Sequence, residues 1–388
     1  MREREATLAL VRLIAERTPA RVDTVRTELR SIDWDRLMAL LVAQRLVPTL
    51  GGPLVDLPEL EVPDRVREQV RAARARARQF GLFHHGVTHR LAGALRERGI
   101  PVVPLKGVVL ADTVYGDIGA RQSSDIDLLV PKDALDDAVD AAARQGWREP
   151  ELLRQAGVPR LHRELFHESL PPLEIHWRVH WYEESFAEAA IVRAEQTDEG
   201  WLRLQPADEL TSLLLILARD GFAGLRQTID VAAYWAASGA DPATADGVRA
   251  ITASHPALSG AVGTAACHVA ALADLDEGWL CARRELSPRQ RAALRLANPW
   301  RVGSRPQIDA TISLIDGLLT PRGGGSAFVR RQLLQPRLAL VRRHPRLHTA
   351  STARIGAARM AHAARVLTRY AIAAGGLLRP QTVRHTAR

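Results

Sequence analysis

Two aspartates one residue apart, Asp125 and Asp127, stand in the run Asp-Ile-Asp-Leu-Leu-Val, which Pro131 closes. Side chains along a strand alternate between its faces. Both carboxylates therefore point one way, and Ile126 and Leu128 the other. Adjacent carboxylates repel unless they are solvated or a cation sits between them. Magnesium takes hard oxygen ligands and keeps water and substrate phosphates in its remaining positions, so a carboxylate pair at a strand end suits it.

A third carboxylate would complete such a site. Residues 173–179 read Leu-Glu-Ile-His-Trp-Arg-Val. Alternation puts Leu173, Ile175, Trp177 and Val179 on an apolar face, with Glu174, His176 and Arg178 on the other. If this segment pairs beside the aspartate strand, Glu174 joins Asp125 and Asp127. Three carboxylates can hold two metal ions about 3.5–4 Å apart. One ion would lower the pKa of an attacking hydroxyl, and the other would grip phosphates and a leaving pyrophosphate. The plainer alternative pairs Glu174 with Arg178 on a surface strand. His176 reads equally as a general base, a partner of the carboxylates, or a polar residue on an open sheet face. Trp177 belongs to the core.

Lys106-Gly107 falls between an apolar run at 100–105 and a short helical pattern at 107–115. The glycine permits close backbone approach, and a helix N-terminus offers unpaired N–H groups to an anion. Lys106 adds a mobile positive charge. It is one of only two lysines among 53 basic residues, the other being Lys132. Arg121, Ser123 and Ser124 lead into the aspartates and could contact the same triphosphate. Asp136, Asp137 and Asp140 fall on a helix and read as a solvated face. His84, His85 and His89 lie in a long helical pattern, and His85 and His89, at i, i+4 spacing, read as a solvated or capped pair. No P-loop or protein-kinase signature occurs.

The elements around these residues follow from periodicity. Helices are expected over 6–16, 33–44 and 64–98, with Gly99 as a stop. Strands are expected at 100–105 and 125–130, then a helix at 133–145. Strands at 163–168 and 173–181 flank Ser-Leu-Pro-Pro and read as a turn-joined pair. Helices resume at 207–218, 225–237, 248–254, 258–273 and 288–297. Pro-Arg-Gly-Gly-Gly-Ser at 321–326 reads as a linker. The fold class is α+β: a small mixed sheet between mostly helical N- and C-terminal regions. The divisions are 1–99 helical, 100–200 the core, 201–320 helical and 321–388 a basic tail.

The net charge of +9 is unevenly spread. Residues 321–388 hold fourteen arginines and no acid, which leaves 39 basic against 44 acidic residues before them. Such a tail would suit RNA or an anionic surface, or could dock on the acidic body. Its few aromatics weaken a base-stacking role. Hydrophobic residues make up 46% and charged residues 25%, which excludes collagen-like and wholly disordered chains. Cys267 and Cys281 are too few for a disulfide scaffold and lack zinc spacing. The start has no signal-peptide pattern, and the most apolar window, 210–218, is about half a membrane span. A cytoplasmic protein without a transmembrane segment is the expectation.

Strand, glycine turn, helix, then a strand with Asp-x-Asp and a later third carboxylate is similar to the nucleotidyltransferase superfamily related to DNA polymerase β. More narrowly, the Leu-Lys-Gly turn, Ser-Asp-Ile-Asp-Leu-Leu-Val and Leu-Glu-Ile-His-Trp-Arg resemble a bacterial family of uncharacterised nucleotidyltransferases, the NTP_transf_5 type. The resemblance runs from about residue 80 to 237. It implies Asp125 and Asp127 as a metal pair, and Glu174 as third ligand or base. It implies Lys106, Gly107, Arg121, Ser123 and Ser124 as nucleotide contacts. Leu-Arg-Gln-Thr-Ile-Asp at 225–230 resembles a family helix that brings Arg226 and Asp230 to the cleft, where His176 and Arg178 are further candidates. Lys-Gly stands where the superfamily usually has Gly-Ser. Arg219 and Asp220 stand where the family often has a histidine. The implied activity moves a nucleoside monophosphate from an NTP, such as ATP, to a hydroxyl or phosphate. Its cofactor would be Mg2+, two ions, with Mn2+ as a substitute. The acceptor would be a small molecule, peptide natural product or sugar. RNA or protein acceptors, or a non-catalytic nucleotide-binding scaffold, are the alternatives.

Overall fold

The computed structural model describes residues 1–150, 161–183, 185–238, 240–275, 280–281, 283–300, 305–333, 337, 340–341 and 344–375. The end of the basic tail, 376–388, lies outside the described residues.

The fold is α+β, a four-stranded mixed sheet flanked by helices. Its strands are β1 (Val103–Leu105), β2 (Ile126–Leu129), β3 (His162–Leu165) and β4 (Leu173–His176), in the order β1-β2-β4-β3. β1 pairs antiparallel with β2, β2 parallel with β4, and β3 antiparallel with β4. The expected joining of the aspartate and Glu174 segments in one sheet is therefore found. Asp127 stands opposite Glu174 in the parallel register, and His162 opposite His176 in the antiparallel one.

Alternation gives the sheet two unlike faces. Ile126, Leu128, Leu165, Leu173 and Ile175 face a core completed by Val87, Leu91 and Leu95, by Leu135 and Val139, and by Trp147. Val87, Leu91 and Leu95 come from the long helix α5 (Asp64–Arg96), and Leu135 and Val139 from α7 (Leu135–Arg144). The other face carries Asp127, Glu174, His176 and His162. Burying one face at a helix–sheet interface thus leaves the polar set turned toward the remaining helices.

Four helices precede α5: α1 (Arg2–Ala15), α2 (Pro19–Leu29), α3 (Trp34–Ala43) and α4 (Val47–Asp56). The sequence reading missed α2 and α4. α4 contains Gly-Gly-Pro, a poor helical stretch by propensity. Packing overrides it: Leu50 and Leu54 are fully buried, and a Cβ on Gly51 would come within 2.5 Å of the Val70 side chain. Only glycine allows α4 this close to α5.

Between β1 and β2 lies α6 (Gly107–Thr113). Beyond the sheet come α8 (Phe186–Arg193), the short hairpin β5 (Glu195–Gln196) and β6 (Leu202–Arg203), then α9 (Pro206–Arg219), α10 (Arg226–Ala237), α11 (Pro242–Ser254), α12 (Pro256–Ala273) and α13 (Pro288–Leu296). α12 has the length and composition of a membrane span, at mean hydropathy 1.3, but 61% of that span is buried inside the protein. Cys267 of α12 is joined to Cys281 as a disulfide.

The basic segment is partly helical. α14 (Arg305–Leu319), α15 (Gly325–Leu333) and α16 (Thr352–Gly375) pack against one another. Gly317 makes room for this, because a Cβ there would meet the Phe328 ring at 2.8 Å. The linker reading of 321–326 therefore covers a tight turn rather than a free tether. Ile355 and His362 are buried, whereas Met360 and Leu367 are exposed.

Strand β4 ends three residues short of Val179. Trp177 N–H still donates to the Leu161 carbonyl at 3.1 Å, but the alternation stops there. Trp177 joins the core under the sheet and Val179 the helical core on the other side. The expected shared face of Leu173 to Val179 is thus corrected. Arg178 leaves the Glu174 and His176 face, and its guanidinium lies over the rings of Trp177 (4.4 Å) and Trp181 (5.8 Å).

Candidate functional site

The polar sheet face opens into a cleft of about 480 Å³. Its floor holds Asp125, Asp127, Glu174 and His162, its rim Lys106 and Ser123, and its far wall Arg219, Asp220, Arg226 and Gln227. Residues of α14 and Gln332 of α15 close one side. Asp127 and Glu174 meet because their strands are parallel and in register. Asp125 sits one residue ahead of β2, at the mouth of the strand. The carboxylates expected to converge do converge.

Asp127 is buried, and each of its oxygens has a partner. Lys106 Nζ lies 3.3 Å from Oδ2, and His176 Nε2 lies 3.0 Å from Oδ1. Burial alone would raise its pKa. The charge of Lys106 and the His176 hydrogen bond override this and hold it far below the usual carboxylate range. Asp125 behaves oppositely. Burial and then the neighbouring Asp127 charge raise its pKa. Glu174 is lowered despite burial, because His176 Nε2 lies 3.2 Å from its Oε2 and His162 stands beyond. Two carboxylates of this set are thus held anionic by cations and ring nitrogens, while the third carries a penalty for its charge.

Lys106 holds φ 53° and ψ −134°, a conformation that a side chain rarely adopts, and Gly107 follows at φ 49°. Such strain costs about 1–3 kcal/mol and persists where surrounding structure over-determines it. Here it turns the Lys106 ammonium from the end of β1 onto Asp127.

Of the residues expected to hold a triphosphate, Arg121 and Ser123 line the cleft, and each also has partners within the protein. Arg121 is 4% exposed. Its Nε and Nη2 donate to Asp230 at 2.9–3.0 Å, and its Nη1 donates to the Gly107 carbonyl at 3.3 Å. Tyr115 Oη donates to the same Asp230 at 2.9 Å. Arg121 and Asp230 therefore clamp α10 to the Lys106-Gly107 turn, and Asp230 does not line the cleft. Ser123 Oγ donates to the Asp125 carbonyl at 3.1 Å and lies 3.3 Å from its Oδ1, while exposed Ser124 reaches the same Oδ1 at 3.5 Å. Both hydroxyls orient Asp125. Arg178 is not among the cleft residues.

Arg226 is where the resemblance put it. It lines the cleft, and its pKa is lowered by burial and by the charge of Arg121. A guanidinium so placed has an incomplete set of counter-charges and favours an incoming anion. Arg219 donates from Nε to Asp220 at 3.0 Å and from Nη1 to the Val179 carbonyl at 3.3 Å. Gln227 Nε2 donates to the other Asp220 oxygen at 2.5 Å.

His162 is the main residue that the sequence reading passed over. Its ring centroid is 4.7 Å from that of His176, and burial and then His176 push its pKa down to about 4. The signal was present: His162 and Glu164 alternate with Arg163 and Leu165, as Glu174 and His176 alternate with Leu173 and Ile175. His84 is buried behind the Lys106-Gly107 turn beside Asp125, with its pKa lowered by burial. His85 stays at the surface, 3.3 Å from Glu199, and His89 lies against Trp201.

The donor chemistry fits divalent metal. Asp125, Asp127 and Glu174 supply hard oxygens on one face, and one ligand atom each from His162, Glu174 and His176 lies within 4.8 Å of the others. No curated protein and no solved structure matches the chain. A family model described as uncharacterised nucleotidyltransferase matches residues 30–270, from α3 through the sheet to α12 and more than half of the chain. With its paired aspartates, partnered glutamate and cationic wall inside that span, the chain belongs to this nucleotidyltransferase family.

Proposed function

We propose that the protein moves a nucleoside monophosphate from an NTP to a hydroxyl or phosphate of a small acceptor, in a reaction that needs divalent metal. The observation that carries this reading is the convergence of Asp125, Asp127 and Glu174 in a cleft whose rim and wall present Lys106, Arg219 and Arg226. Carboxylates alone would repel a triphosphate. Cations alone would bind it without supplying metal ligands. Their combination suits a metal–nucleotide complex.

Asp125, Asp127 and Glu174 would hold the metal, Mg2+ being the ion that an oxygen set favours. When bound, it would neutralise phosphate charge and acidify an attacking hydroxyl. The chain's own residues do the rest. Lys106 and His176 keep Asp127 anionic, so this ligand needs no deprotonation on binding. Arg226, short of counter-charge, is placed for the phosphates. Arg219 is tied to Asp220 and Val179, and lends its field to Asp127 and Glu174. Leu161, Trp181 and Ile312 give the cleft apolar surface for a base or an acceptor. A volume of about 480 Å³ lies within the range of small-molecule sites, which run roughly 300–1,000 Å³. It favours a small molecule, peptide or sugar acceptor.

The test is calorimetric titration of each of the four NTPs with magnesium, followed by mass spectrometry of small molecules incubated with protein and NTP. Binding of one NTP that requires magnesium, and an acceptor gaining one nucleoside monophosphate, are the expected results. Absence of any magnesium-dependent NTP binding would end the proposal.

A further inference from the structure

His162 and His176 stand opposite each other on β3 and β4, and Glu174 precedes His176 by two residues on the same face. Glu174 Oε2 lies 3.2 Å from His176 Nε2 and 3.8 Å from His162 Nδ1. Asp127 Oδ1 lies 3.0 Å from the same His176 nitrogen. Zinc binds nitrogen and oxygen at about 2.0–2.2 Å in a tetrahedron, which separates neighbouring ligands by about 3.3 Å. The distances here bracket that value. The 3.8 Å gap is too long for a hydrogen bond but suits two ligands of one ion.

A second observation is independent of these distances. Nδ1 of His162 and Nδ1 of His176 are both buried, and neither has a hydrogen-bond partner among the described residues. His176 as a whole is 1% exposed. A buried ring nitrogen left unpaired is costly, and an ion seated between Glu174 Oε2 and His176 Nε2 would engage that of His162, whereas His176 Nδ1, across its own ring, points away from it. Imidazole suits zinc, cobalt and their neighbours, whereas magnesium takes oxygen.

We propose that His162, Glu174 and His176, with Asp127 beside them, form a seat for a transition-metal dication of the zinc and cobalt class. It adjoins the all-oxygen seat of Asp125 and Asp127. The site would then hold two unlike ions rather than a pair of magnesiums. This deepens the nucleotidyltransferase reading and rests on it for the ion's place beside the nucleotide, though not for the binding itself.

The experiment uses full-length protein stripped by a chelator and titrated with Co2+ alone, read by visible absorption and by calorimetry. One equivalent of Co2+ should give the intense bands of a low-coordinate nitrogen-bearing site. Excess Mg2+ should not displace it, and Zn2+ should. His162→Gln should weaken Co2+ binding at least tenfold, and Glu174→Gln likewise, while Asp125→Asn leaves it within about threefold. Circular dichroism and melting of each metal-free variant separate lost binding from lost fold. His162, only half-buried, is the variant least exposed to that risk. The proposal fails if Co2+ gives no such bands. It fails equally if folded His162→Gln binds Co2+ like wild type, or if Asp125→Asn alone abolishes binding. Tight Co2+ binding without magnesium-dependent NTP binding would keep the seat and remove the nucleotidyltransferase reading.

Discussion

Lys106 Nζ lies 3.3 Å from Oδ2 of Asp127, and the lysine reaches it from a backbone conformation that favours glycine. The side chain and its strain point to the same place. Replacing Lys106 by Ala should weaken binding of an NTP by about tenfold, an effect of roughly 1.4 kcal/mol, and leave the bare nucleoside nearly unchanged. Lys106→Arg should rescue only partly, since a planar fork does not replace a point charge. Lys106→Gly should melt higher than Lys106→Ala, because glycine accepts this conformation without strain. Equal NTP affinity in wild type and Lys106→Ala by calorimetry would remove the lysine from the phosphate site.

The two aspartates should part company in stability while sharing a loss of activity. Asp125→Asn and Asp127→Asn should each lower turnover by about a hundredfold or more, as several kcal/mol of charge stabilisation would be lost. Asp125 carries a raised pKa, so its charge is disfavoured in the fold, and Asp125→Asn should melt at or above wild type at neutral pH. Asp127 carries a lowered pKa, so its charge is favoured, and Asp127→Asn should melt below wild type. Calorimetric melting of the two variants decides it; the opposite order would mean that the local electrostatics are misassigned.

Arg121 and Asp230 form a buried pair that joins α10 to the turn before α6. Removing either partner strands a charge, at a cost of about 3–5 kcal/mol. Arg121→Ala and Asp230→Ala should therefore shift denaturant midpoints strongly. A substitution of both by apolar residues of similar volume should be milder than either single change. Were Arg121→Ala to keep wild-type stability and lose only NTP affinity, Arg121 would act as a phosphate contact and not as a clamp.

Glu209 in the first turn of α9 is 7% exposed, and burial pushes its carboxyl up to about 7. Its folded pKa lies above the unfolded value of 4.5. The folded state therefore binds the extra proton between these values, and its stabilising effect is full below 4.5 and lost as pH rises through about 7. The size is about 3 kcal/mol at most. Relative to Glu209→Gln, wild type should lose unfolding free energy from pH 5 to pH 8, so that Glu209→Gln is the more stable of the two at pH 8. Parallel pH profiles for the two proteins would show that Glu209 does not titrate as placed.

The α+β order and the chemistry of the floor were legible in the primary structure. Period-two alternation in 125–130 and 173–176 assigns Asp127 and Glu174 to polar faces, because the pleat leaves a strand no other choice. A glycine turn between strand and helix marks Lys106. Helix boundaries held where apolar periodicity was strong, as in 64–96, and failed at α4, where close contact with Val70 outweighs propensity.

What one strand does to another is not local, and there tertiary structure decided. Register across β2, β4 and β3 sets Asp127 against Glu174 and His176 against His162, although no spacing in the chain encodes those pairings. The end of β4 at His176 turned Arg178 away from the cleft. Burial of Arg121 against Asp230, more than a hundred residues along, makes a residue of the cleft lining a clamp between distant segments as well. The docking of α15 and α16 on α14 brought Gln332, from the basic segment, to the cleft wall. A sequence states which groups are available and which face of an element each occupies. Which buried charges meet depends on contacts between distant segments, where desolvation and pairing are settled together.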